Sequence, residues 1–252
     1  MTPAFALESA AVRRGHALVL RDASVEGRPG EVLGVIGANG AGKTTLLRAA
    51  LGLVRLERGR ALLAGREVAG LAEPERAALA AHLPQERRVG WNLPAWRVAS
   101  LGAAHLPPRA ARERAHQALD RVGLAALADR GVLDMSGGER GRVLLARLLA
   151  SHAPLLMADE PGSGLDPDAQ LLSLELLRAE AERGAAVVLT LHDLSLAARA
   201  CDRLVVLHAG RVVADAPPAA ALTPQILARA FGLEGRLEET SAGPVVAARR
   251  LS

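Results

Sequence analysis

The 252-residue sequence is poor in aromatic residues, with two Phe, two Trp and no Tyr, and its net charge is only +4. Its arginines are scattered among acidic residues instead of forming a cluster. Proteins that bind nucleic acids generally combine a concentrated basic surface with aromatic side chains that stack on bases. The composition therefore argues against a nucleic-acid partner, and we expect none.

The sequence also has a single cysteine, Cys201, and no apolar run near the roughly 20 residues with which a helix crosses a membrane. One cysteine cannot form an intramolecular disulfide, which is typical of proteins in a reducing compartment. No secretory signal is visible. At 50% hydrophobic and 23% charged residues, the chain is predicted to be a cytoplasmic globular protein with one large domain, or one domain carrying a subdomain.

Strands and helices are predicted to alternate over much of the chain. Residues 31–36 form an apolar run typical of a buried strand, a glycine-rich loop follows, and residues 43–51 have helical spacing. Strands are predicted again at residues 155–158 and 186–191, with a helix over residues 168–183 between them. This order is typical of an α/β protein with a parallel sheet.

Other segments depart from that pattern. Residues 93–150 are rich in Ala, Leu and Arg and predict a helical insertion between two strands of the sheet. Short strands such as residues 17–20 are predicted near the N-terminus, and a hairpin is predicted from residues 203–207 and 211–214. The tail from Pro217 is weakly patterned.

A phosphate-binding loop is predicted between the first buried strand and its helix. The residues GANGAGKT, Gly37 to Thr44, match the pattern G-x-x-x-x-G-K-[ST]. Successive backbone N–H groups and the positive end of the helix dipole cradle phosphate oxygens there. Lys43 neutralises the β- and γ-phosphates, and the Thr44 hydroxyl ligates Mg²⁺. The loop predicts binding of a nucleoside triphosphate.

Two neighbouring carboxylates, Asp159 and Glu160, end the apolar run that begins at Leu155. Such a pair by itself usually marks a solvated strand end, but beside a phosphate loop one acid holds Mg²⁺ and the other orients or deprotonates water. His192 follows a predicted strand and is placed to reach a γ-phosphate, although a lone histidine is by default structural. Gln85 by itself is an unremarkable loop residue. The combination indicates hydrolysis.

The stretch MSGGERGR, Met135 to Arg142, opens an apolar helix. Ser136 and Glu139 fit the S-x-x-E capping box, in which each residue satisfies a backbone N–H of the other. Capping does not require Gly137 and Gly138, because glycine in a first turn costs about 0.5–1 kcal/mol relative to alanine. The glycines therefore indicate a second role for this helix end.

Together these motifs resemble the ATP-binding cassette (ABC) ATPases over residues 7–214. The matching motifs are Walker A at Gly37 to Thr44, the Q-loop at Gln85, the signature at Met135 to Glu139, Walker B at Leu155 to Asp159 followed by the catalytic Glu160, the D-loop at Gly164 to Asp166, and the switch histidine His192. The resemblance implies an α/β P-loop fold with an antiparallel β subdomain and an inserted helical subdomain.

The resemblance also implies domain bounds. The nucleotide-binding domain would span residues 1–238, with a core of residues 1–86 and 151–215 and a helical subdomain of about residues 90–150. Residues 216–252 would form a short C-terminal tail.

ATP and Mg²⁺ are the cofactors that the resemblance implies. The catalytic residues would be Glu160, His192 and Gln85, and the metal ligands Thr44, Gln85 and Asp159. The ATP-binding residues would be Gly37, Ala38, Asn39, Gly40, Ala41, Gly42, Lys43, Thr44, Thr45, Arg14, Ser136, Gly137, Gly138, Glu139 and Asp166. Two copies would bind head to tail, each ATP lying between the Walker A loop of one copy and the signature helix of the other.

This sequence departs from the family pattern in three places. Where relatives carry an aromatic residue against adenine, Arg14 either stacks its guanidinium group on the base or points to solvent. Met135 replaces the usual leucine, a volume-conserving change with a mild expected effect. Gly141 stands where many relatives have glutamine.

A transport subunit is the favoured role within the family. Gln85 and Ser136 are only 51 positions apart, which leaves no room for the long coiled coil of repair ATPases, and a second Walker A motif is absent. Residues 87–105 lie where importers receive a helix of the membrane subunit, and Trp91 and Trp96 are interface anchors there or buried packing residues.

The segments around Gln85 and after His192 resemble the ATPases of iron(III)-siderophore, heme and vitamin B12 importers. This implies a homodimer with two integral membrane permease subunits and a substrate-binding protein, peripheral at the cytoplasmic face of the inner membrane, without direct contact with the transported substrate. The alternatives are an importer ATPase for another substrate such as a metal ion, or a soluble ABC ATPase outside transport.

Overall fold

The computed structural model describes residues 2–86, 89–241 and 243–251, whose strands form three sheets. The strands are β1 (Phe5–Arg14), β2 (Ala17–Gly27), β3 (Val32–Gly37), β4 (Arg58–Leu63), β5 (Arg66–Glu67), β6 (Ala80–Leu83), β7 (Leu155–Asp159), β8 (Ala186–Thr190), β9 (Arg203–His208), β10 (Arg211–Ala216), β11 (Leu233–Thr240) and β12 (Gly243–Arg250). The α-helices are α1 (Lys43–Ala50), α2 (Glu73–Leu79), α3 (Ala95–Ser100), α4 (Pro108–Arg121), α5 (Gly137–Ala150), α6 (Pro167–Glu182), α7 (Leu194–Ala200), α8 (Pro218–Ala221) and α9 (Pro224–Phe231).

The central sheet has six strands in the order β10, β9, β3, β8, β7, β6, and only the pairing of β9 with β10 is antiparallel. Helices lie against both faces, so its middle strands are mostly apolar, with polar residues at strand ends such as Asp159 in β7 and Thr190 in β8. Along β3, Leu33 and Val35 face the core on the α1 side, whereas Val32 and Ile36 face the core formed with α5, α6 and α7. Side chains of successive strand residues point to opposite faces, which explains this division.

The parallel strands of the central sheet place their carboxyl ends at one edge. β3 leads into the glycine-rich loop, β7 into Glu160, and β8 into His192 two residues after its last residue. Ligands of open α/β sheets bind beyond this edge. The fold therefore gathers three motifs that are far apart in sequence.

A four-stranded antiparallel sheet, in the order β2, β1, β4, β5, covers the α1 side. Strands were predicted near the N-terminus, and two are present: residues 17–20 are the first part of the longer β2, and β1 precedes them. The pairing of β1 with β2 shifts register between Leu7 and Ala10 and again before Arg13. Such bulges interrupt the period-two alternation by which a strand is recognised in sequence.

The predicted helical insertion is confirmed, because α3, α4 and α5 are the α-helices described between β6 and β7. Small buried side chains, Ala99, Ala115 and Ala118, let these helices approach closely, and Leu119 and Leu145 fill the space between them. The strand β6 was not predicted, because a four-residue strand carries little periodic signal.

The weakly patterned tail from Pro217 forms α8, α9 and the β11–β12 hairpin. The hairpin packs on α7: the Val246 backbone N–H donates to Ser195 Oγ at 3.0 Å, and Arg199 Nε donates to the Pro244 carbonyl at 3.0 Å. Most hairpin residues remain at least partly exposed. A hairpin with one lightly buried face leaves only a weak hydrophobic pattern in the sequence.

None of the helices in the described ranges combines the length and the apolar character that spanning a membrane requires.

Candidate active site

The glycine-rich loop joins β3 to α1, and Gly42 caps the helix in a left-handed conformation, with φ of 109°. Gly37 has φ of 153°, and a Cβ added there would lie 2.4 Å from the Leu207 carbonyl oxygen. Only glycine combines this backbone geometry with so close an approach. The turn between strand and helix therefore depends on the spacing of these glycines.

Lys43 is the only lysine in the sequence, and it lies in this loop with 8% of its surface exposed. Its Nζ donates a hydrogen bond to the Gly37 carbonyl at 2.9 Å and a longer one to Ala38 at 3.4 Å. Burial lowers the pKa of Lys43, and the charges of Glu160 and Asp159 counteract that lowering. The ammonium group is thus held against the loop on the side of the two acids.

A cavity of about 520 Å³ opens beside the loop. Such a volume is typical of a site for a small ligand or cofactor. It is lined by Arg14, Val19, Asn39, Gly40, Gly42, Lys43, Thr44, Thr45, Gln85, Glu160 and His192. The structure thus gathers into one cavity most of the predicted Walker A residues, the Q-loop glutamine, Glu160 and His192, whereas Gly37, Ala38 and Ala41 do not line it. Arg14 lines the same cavity.

Asp159 is the last residue of β7 and is 1% exposed. Its Oδ1 accepts a hydrogen bond from Thr190 Oγ1 at 2.5 Å, whereas its Oδ2 is buried and finds no hydrogen-bond partner among the described residues. An unpartnered buried carboxylate oxygen costs roughly 1–3 kcal/mol or more unless a ligand satisfies it. Oxygen donors of this kind are those that Mg²⁺ prefers.

The donor set available to a cation is small. Across the described ranges, no group of three His, Cys, Asp or Glu side chains gathers in a geometry that could hold a metal ion. Mg²⁺ in nucleotide sites takes one or two protein oxygens and completes its shell with phosphates and water. Asp159 together with the hydroxyl of Thr44, which lines the cavity, fits that pattern.

Glu160 follows Asp159 in a left-handed conformation with φ of 52°. This conformation costs a non-glycine residue about 1–2 kcal/mol. Its backbone N–H donates to Thr190 Oγ1 at 2.9 Å, and its Oε1 is hydrogen-bonded to Nε2 of His192. The turn therefore directs the Glu160 carboxylate into the cavity and toward the half-exposed His192 ring.

The signature residues form the N-terminus of α5. The Ser136 backbone N–H donates to Glu139 Oε2 at 2.7 Å, and the Glu139 N–H donates to Ser136 Oγ at 3.2 Å, as the capping box predicts. These bonds lower the pKa of Glu139. A Cβ added to Gly137 or Gly138 would meet nothing within 4 Å. Packing within this chain therefore does not require either glycine.

The signature residues and Asp166 do not line the cavity of their own chain. Ser136 and Gly137 are exposed, and Asp166 is the N-cap of α6, where its Oδ1 accepts from the Ala169 N–H at 2.8 Å. The residues predicted to contact ATP therefore lie in two separate places on one chain: some line the cavity, and others lie at the exposed N-terminus of α5 or at Asp166.

The comparisons with known proteins decide the family. Residues 20–163 match the family model described as ABC transporter. This chain belongs to the ABC transporter family. Hemin import ATP-binding proteins HmuV are similar: that of Pseudomonas fluorescens Pf-5 is 43% identical over 92% of this chain and 94% of its own, and that of Rhodococcus jostii RHA1 is 42% identical over 88% and 77%.

Solved structures have the same fold. An ATP-binding subunit of an ABC transporter matches with a TM-score of 0.78 at 28% identity, covering 84% of this chain and 89% of that one. An inward-facing metal-chelate type ABC transporter matches with a TM-score of 0.83 at 24% identity, covering 99% and 98%. The predicted ABC ATPase fold is confirmed, and this ABC ATPase binds and hydrolyses ATP, as predicted.

The two tryptophans within residues 87–105 of this ABC ATPase were predicted to be interface anchors or buried packing residues. Arg87 and Arg88, at the start of that segment, lie outside the described residues. Trp96 is partly buried, with the Arg112 guanidinium 4.5 Å from its ring centroid and the His116 ring stacked at 6.3 Å. Trp91 is 76% exposed. Trp96 therefore packs within the helical part, whereas Trp91 presents an apolar surface to solvent.

Thr190 is a site residue of this ABC ATPase that the sequence did not reveal. It is fully buried at the end of β8 and hydrogen-bonds to both acidic residues at the end of β7. Its hydroxyl donates to the Asp159 side chain and accepts from the Glu160 backbone N–H. The only signal was a polar residue at the carboxyl end of an apolar strand. That signal becomes meaningful once β8 is known to pair with β7.

Replacing Thr190 with Val is expected to lower the ATP hydrolysis rate about tenfold and to reduce the free energy of unfolding by about 1–3 kcal/mol. The valine has the same shape, but it leaves a second Asp159 oxygen and the Glu160 N–H without partners. A colorimetric phosphate assay and thermal unfolding measure the two effects. Thr190→Ser keeps the hydroxyl and serves as the matched control; equal losses in both variants would contradict a role for the hydroxyl.

Proposed function

We propose that this ABC ATPase is the ATP-hydrolysing subunit of a hemin importer. The observation that carries the proposal is the similarity to hemin import ATP-binding proteins, 41–44% identical over 88–92% of this chain. The two lengths also agree, since the alignments with the Pseudomonas relatives cover 89–94% of those proteins. At this level of similarity the whole domain is shared, including segments outside the catalytic motifs.

The cavity residues would bind MgATP. Lys43 would exchange its hydrogen bonds to the Gly37 and Ala38 carbonyls for phosphate oxygens, and the N–H groups from Asn39 to Thr45 would surround the phosphates. Mg²⁺, when bound, neutralises charge on the β- and γ-phosphates. Thr44 and Asp159 Oδ2 would hold it from the protein side, with Gln85 contributing through its side-chain carbonyl. The guanidinium group of Arg14 would cover the base.

Glu160 and His192 would act on the attacking water. The carboxylate of Glu160 accepts the proton of a water aligned with the γ-phosphate, which raises the nucleophilicity of that water. His192 Nε2, which is hydrogen-bonded to Glu160 before ATP arrives, would donate its proton to a γ-phosphate oxygen once ATP is bound. Their hydrogen bond, together with the left-handed turn at Glu160, places the base before ATP arrives, so little reorganisation is needed.

A second copy of this chain would complete the site. The exposed N-terminus of α5 is an anion-binding element, with Ser136 and the N–H groups of Gly137 and Gly138 as donors. Within the described residues a Cβ at either glycine would meet no atom within 4 Å, so this chain does not require glycine there; contact with a phosphate would, because glycine backbone can approach a phosphate closely. Asp166 would lie at the same junction. ATP would hold the two copies head to tail, and hydrolysis would release them.

Two integral membrane permease subunits and a substrate-binding protein would complete the importer, with this chain peripheral at the cytoplasmic face of the inner membrane. Trp91 supports a membrane-subunit contact, because it is exposed on the segment that follows Gln85. A large exposed aromatic residue is a typical anchor in protein interfaces. Hemin would pass through the permease without touching this chain.

Reconstitution in proteoliposomes tests the substrate. We expect proteoliposomes that contain this chain and its cognate permease to take up hemin when the cognate binding protein is supplied outside and ATP is supplied on the side that faces this subunit. Ferric siderophore and cobalamin are the matched competing substrates. Uptake of either one in place of hemin would overturn the substrate assignment, and ATP hydrolysis that no membrane protein stimulates would favour a role outside transport.

A further inference from the structure

Asn92 connects two segments that the sequence places far apart. Its Oδ1 accepts a hydrogen bond from the Leu133 N–H at 2.9 Å, and its Nδ2 donates to Asp134 Oδ2 at 2.9 Å. Asn92 lies seven residues after Gln85, and Asp134 lies two residues before Ser136. One side chain thus joins the segment that follows the Q-loop to the segment that leads into the signature.

The backbone around Asn92 supports this connection. The Ala95 N–H donates to the Arg130 carbonyl, the Trp96 N–H to Ala128, and the Val132 N–H to Leu93, each at 2.9 Å. A Cβ added to Gly131 would lie 2.3 Å from Asn92 Oδ1. The close contact with Gly131 and the two hydrogen bonds allow the Asn92 amide one orientation. Several hydrogen bonds therefore join residues 92–96 to residues 128–134.

The signature serine has few other restraints on its N-terminal side. Met135 is buried, but Leu133, Asp134 and Ser136 are exposed, and their side chains do not pack in the core. Arg130 adds one hydrogen bond, from its guanidinium group to the Asp134 carbonyl at 2.6 Å. The direction in which the chain enters α5 is therefore determined by the buried Met135 together with the contacts of Asn92 and Arg130.

We propose that Asn92 is a positioning residue: it holds Ser136 in the position and orientation in which Ser136 can contact ATP bound to a second copy of the chain. The proposal rests on the proposed function, in which the signature acts on the partner's nucleotide. Asn92 itself touches no nucleotide. Because it lies between the segment that follows Gln85 and the signature, a displacement of that segment carries the signature with it.

The hydrogen bond between Asn92 and Asp134 permits a swap experiment in the full-length chain. Asn92→Asp keeps an acceptor for the Leu133 N–H but places a carboxylate against Asp134, and like charges at hydrogen-bond distance repel. Asp134→Asn leaves an acceptor for Asn92 and is the mild single variant. In the double variant, the new amide at position 134 donates to the new carboxylate at position 92, so the bond returns with its direction reversed.

We expect Asn92→Asp to lower the rate of ATP hydrolysis about two- to tenfold, the range that one exposed hydrogen bond supports. The double variant should recover to within about twofold of the native rate, because interacting residues show non-additive effects. The affinity of the isolated chain for a fluorescent ATP analogue should not change. In a Glu160→Gln background, Asn92→Asp should raise the ATP concentration needed to form the dimer, measured by gel filtration.

Gln117→Ala is the matched control, since it removes an exposed side-chain amide from α4 of the same helical part and should leave hydrolysis unchanged. Native-like hydrolysis and dimer formation in Asn92→Asp would overturn the positioning role, as would a double variant no more active than Asn92→Asp. Ser136→Arg distinguishes a failure of the proposed function from a failure of the Asn92 proposal alone. If Ser136→Arg hydrolyses ATP normally, the proposed function of the signature fails; if it is inactive while Asn92→Asp is native-like, only the role of Asn92 fails.

Discussion

Replacing Glu160 with Gln is expected to lower the rate of ATP hydrolysis about 10²–10⁴-fold, the usual contribution of a positioned general base. The amide has nearly the same shape and its Oε1 can still accept from His192 Nε2, but it cannot take a proton from water. Thr190 accepts a hydrogen bond from the Glu160 backbone N–H and donates one to Asp159, so neither bond involves the Glu160 side chain and both stay intact. The substitution should therefore slow the hydrolysis step without changing the structure of the site.

The same variant should bind ATP at least as well as the native chain. Without hydrolysis, ATP stays between the two copies, so gel filtration with ATP should show a dimer that persists, while the native chain returns to monomer. Glu113→Gln, which removes an exposed carboxylate paired with Arg109 on α4, is the matched control. Near-native turnover in Glu160→Gln would refute the assignment of Glu160 as the base.

Replacing Ser136 with Arg is expected to abolish ATP hydrolysis while leaving ATP binding by the monomer unchanged. A long cationic side chain at this exposed helix end would occupy the space that the nucleotide of the second copy needs. Ser136 does not line the cavity of its own chain, so the monomer loses no ATP contact. Loss of the N-cap costs the helix about 1 kcal/mol, which the buried face of α5 can tolerate.

Lys43 offers a direct measurement of monomer binding. As the only lysine, it gives a single side-chain product with an amine-reactive reagent, and ATP should protect it in the native chain and in Ser136→Arg alike. The lowered pKa of Lys43 increases its neutral, reactive fraction at a given pH. Ser136→Ala removes the helix cap without adding a large side chain, so it separates the effect of losing the cap from the effect of the arginine side chain. Loss of ATP protection in Ser136→Arg would mean that the signature acts within its own chain.

Motifs whose parts are adjacent in sequence could be predicted well. The Walker A loop and the capping box each depend on residues within eight positions of one another, and local hydrogen bonds determine their geometry. The alternation of strands and helices was sufficient to predict that Glu160 and His192 lie near the loop, because parallel strands end at the same edge. The cavity that gathers these residues agrees with that prediction.

Contacts between distant segments could not be predicted in the same way. Thr190 and Asn92 are single polar residues without a motif, and their importance comes from partners 30 to 42 positions away. The C-terminal hairpin was missed for a related reason. Its strands are held by pairing with each other and by two hydrogen bonds to α7, and neither leaves a strong hydrophobic period.

The sequence by itself determined that the chain would bind nucleotide phosphates and that Ser136 would cap a helix, because both depend on neighbouring residues and backbone geometry. For Gly137 and Gly138 the sequence showed only that helix capping does not require glycine at these positions. The tertiary structure decided that the space around them is empty and lies outside the cavity of the same chain. Only packing of the whole fold determines which surfaces remain open, and this open helix end is therefore a property of the folded molecule.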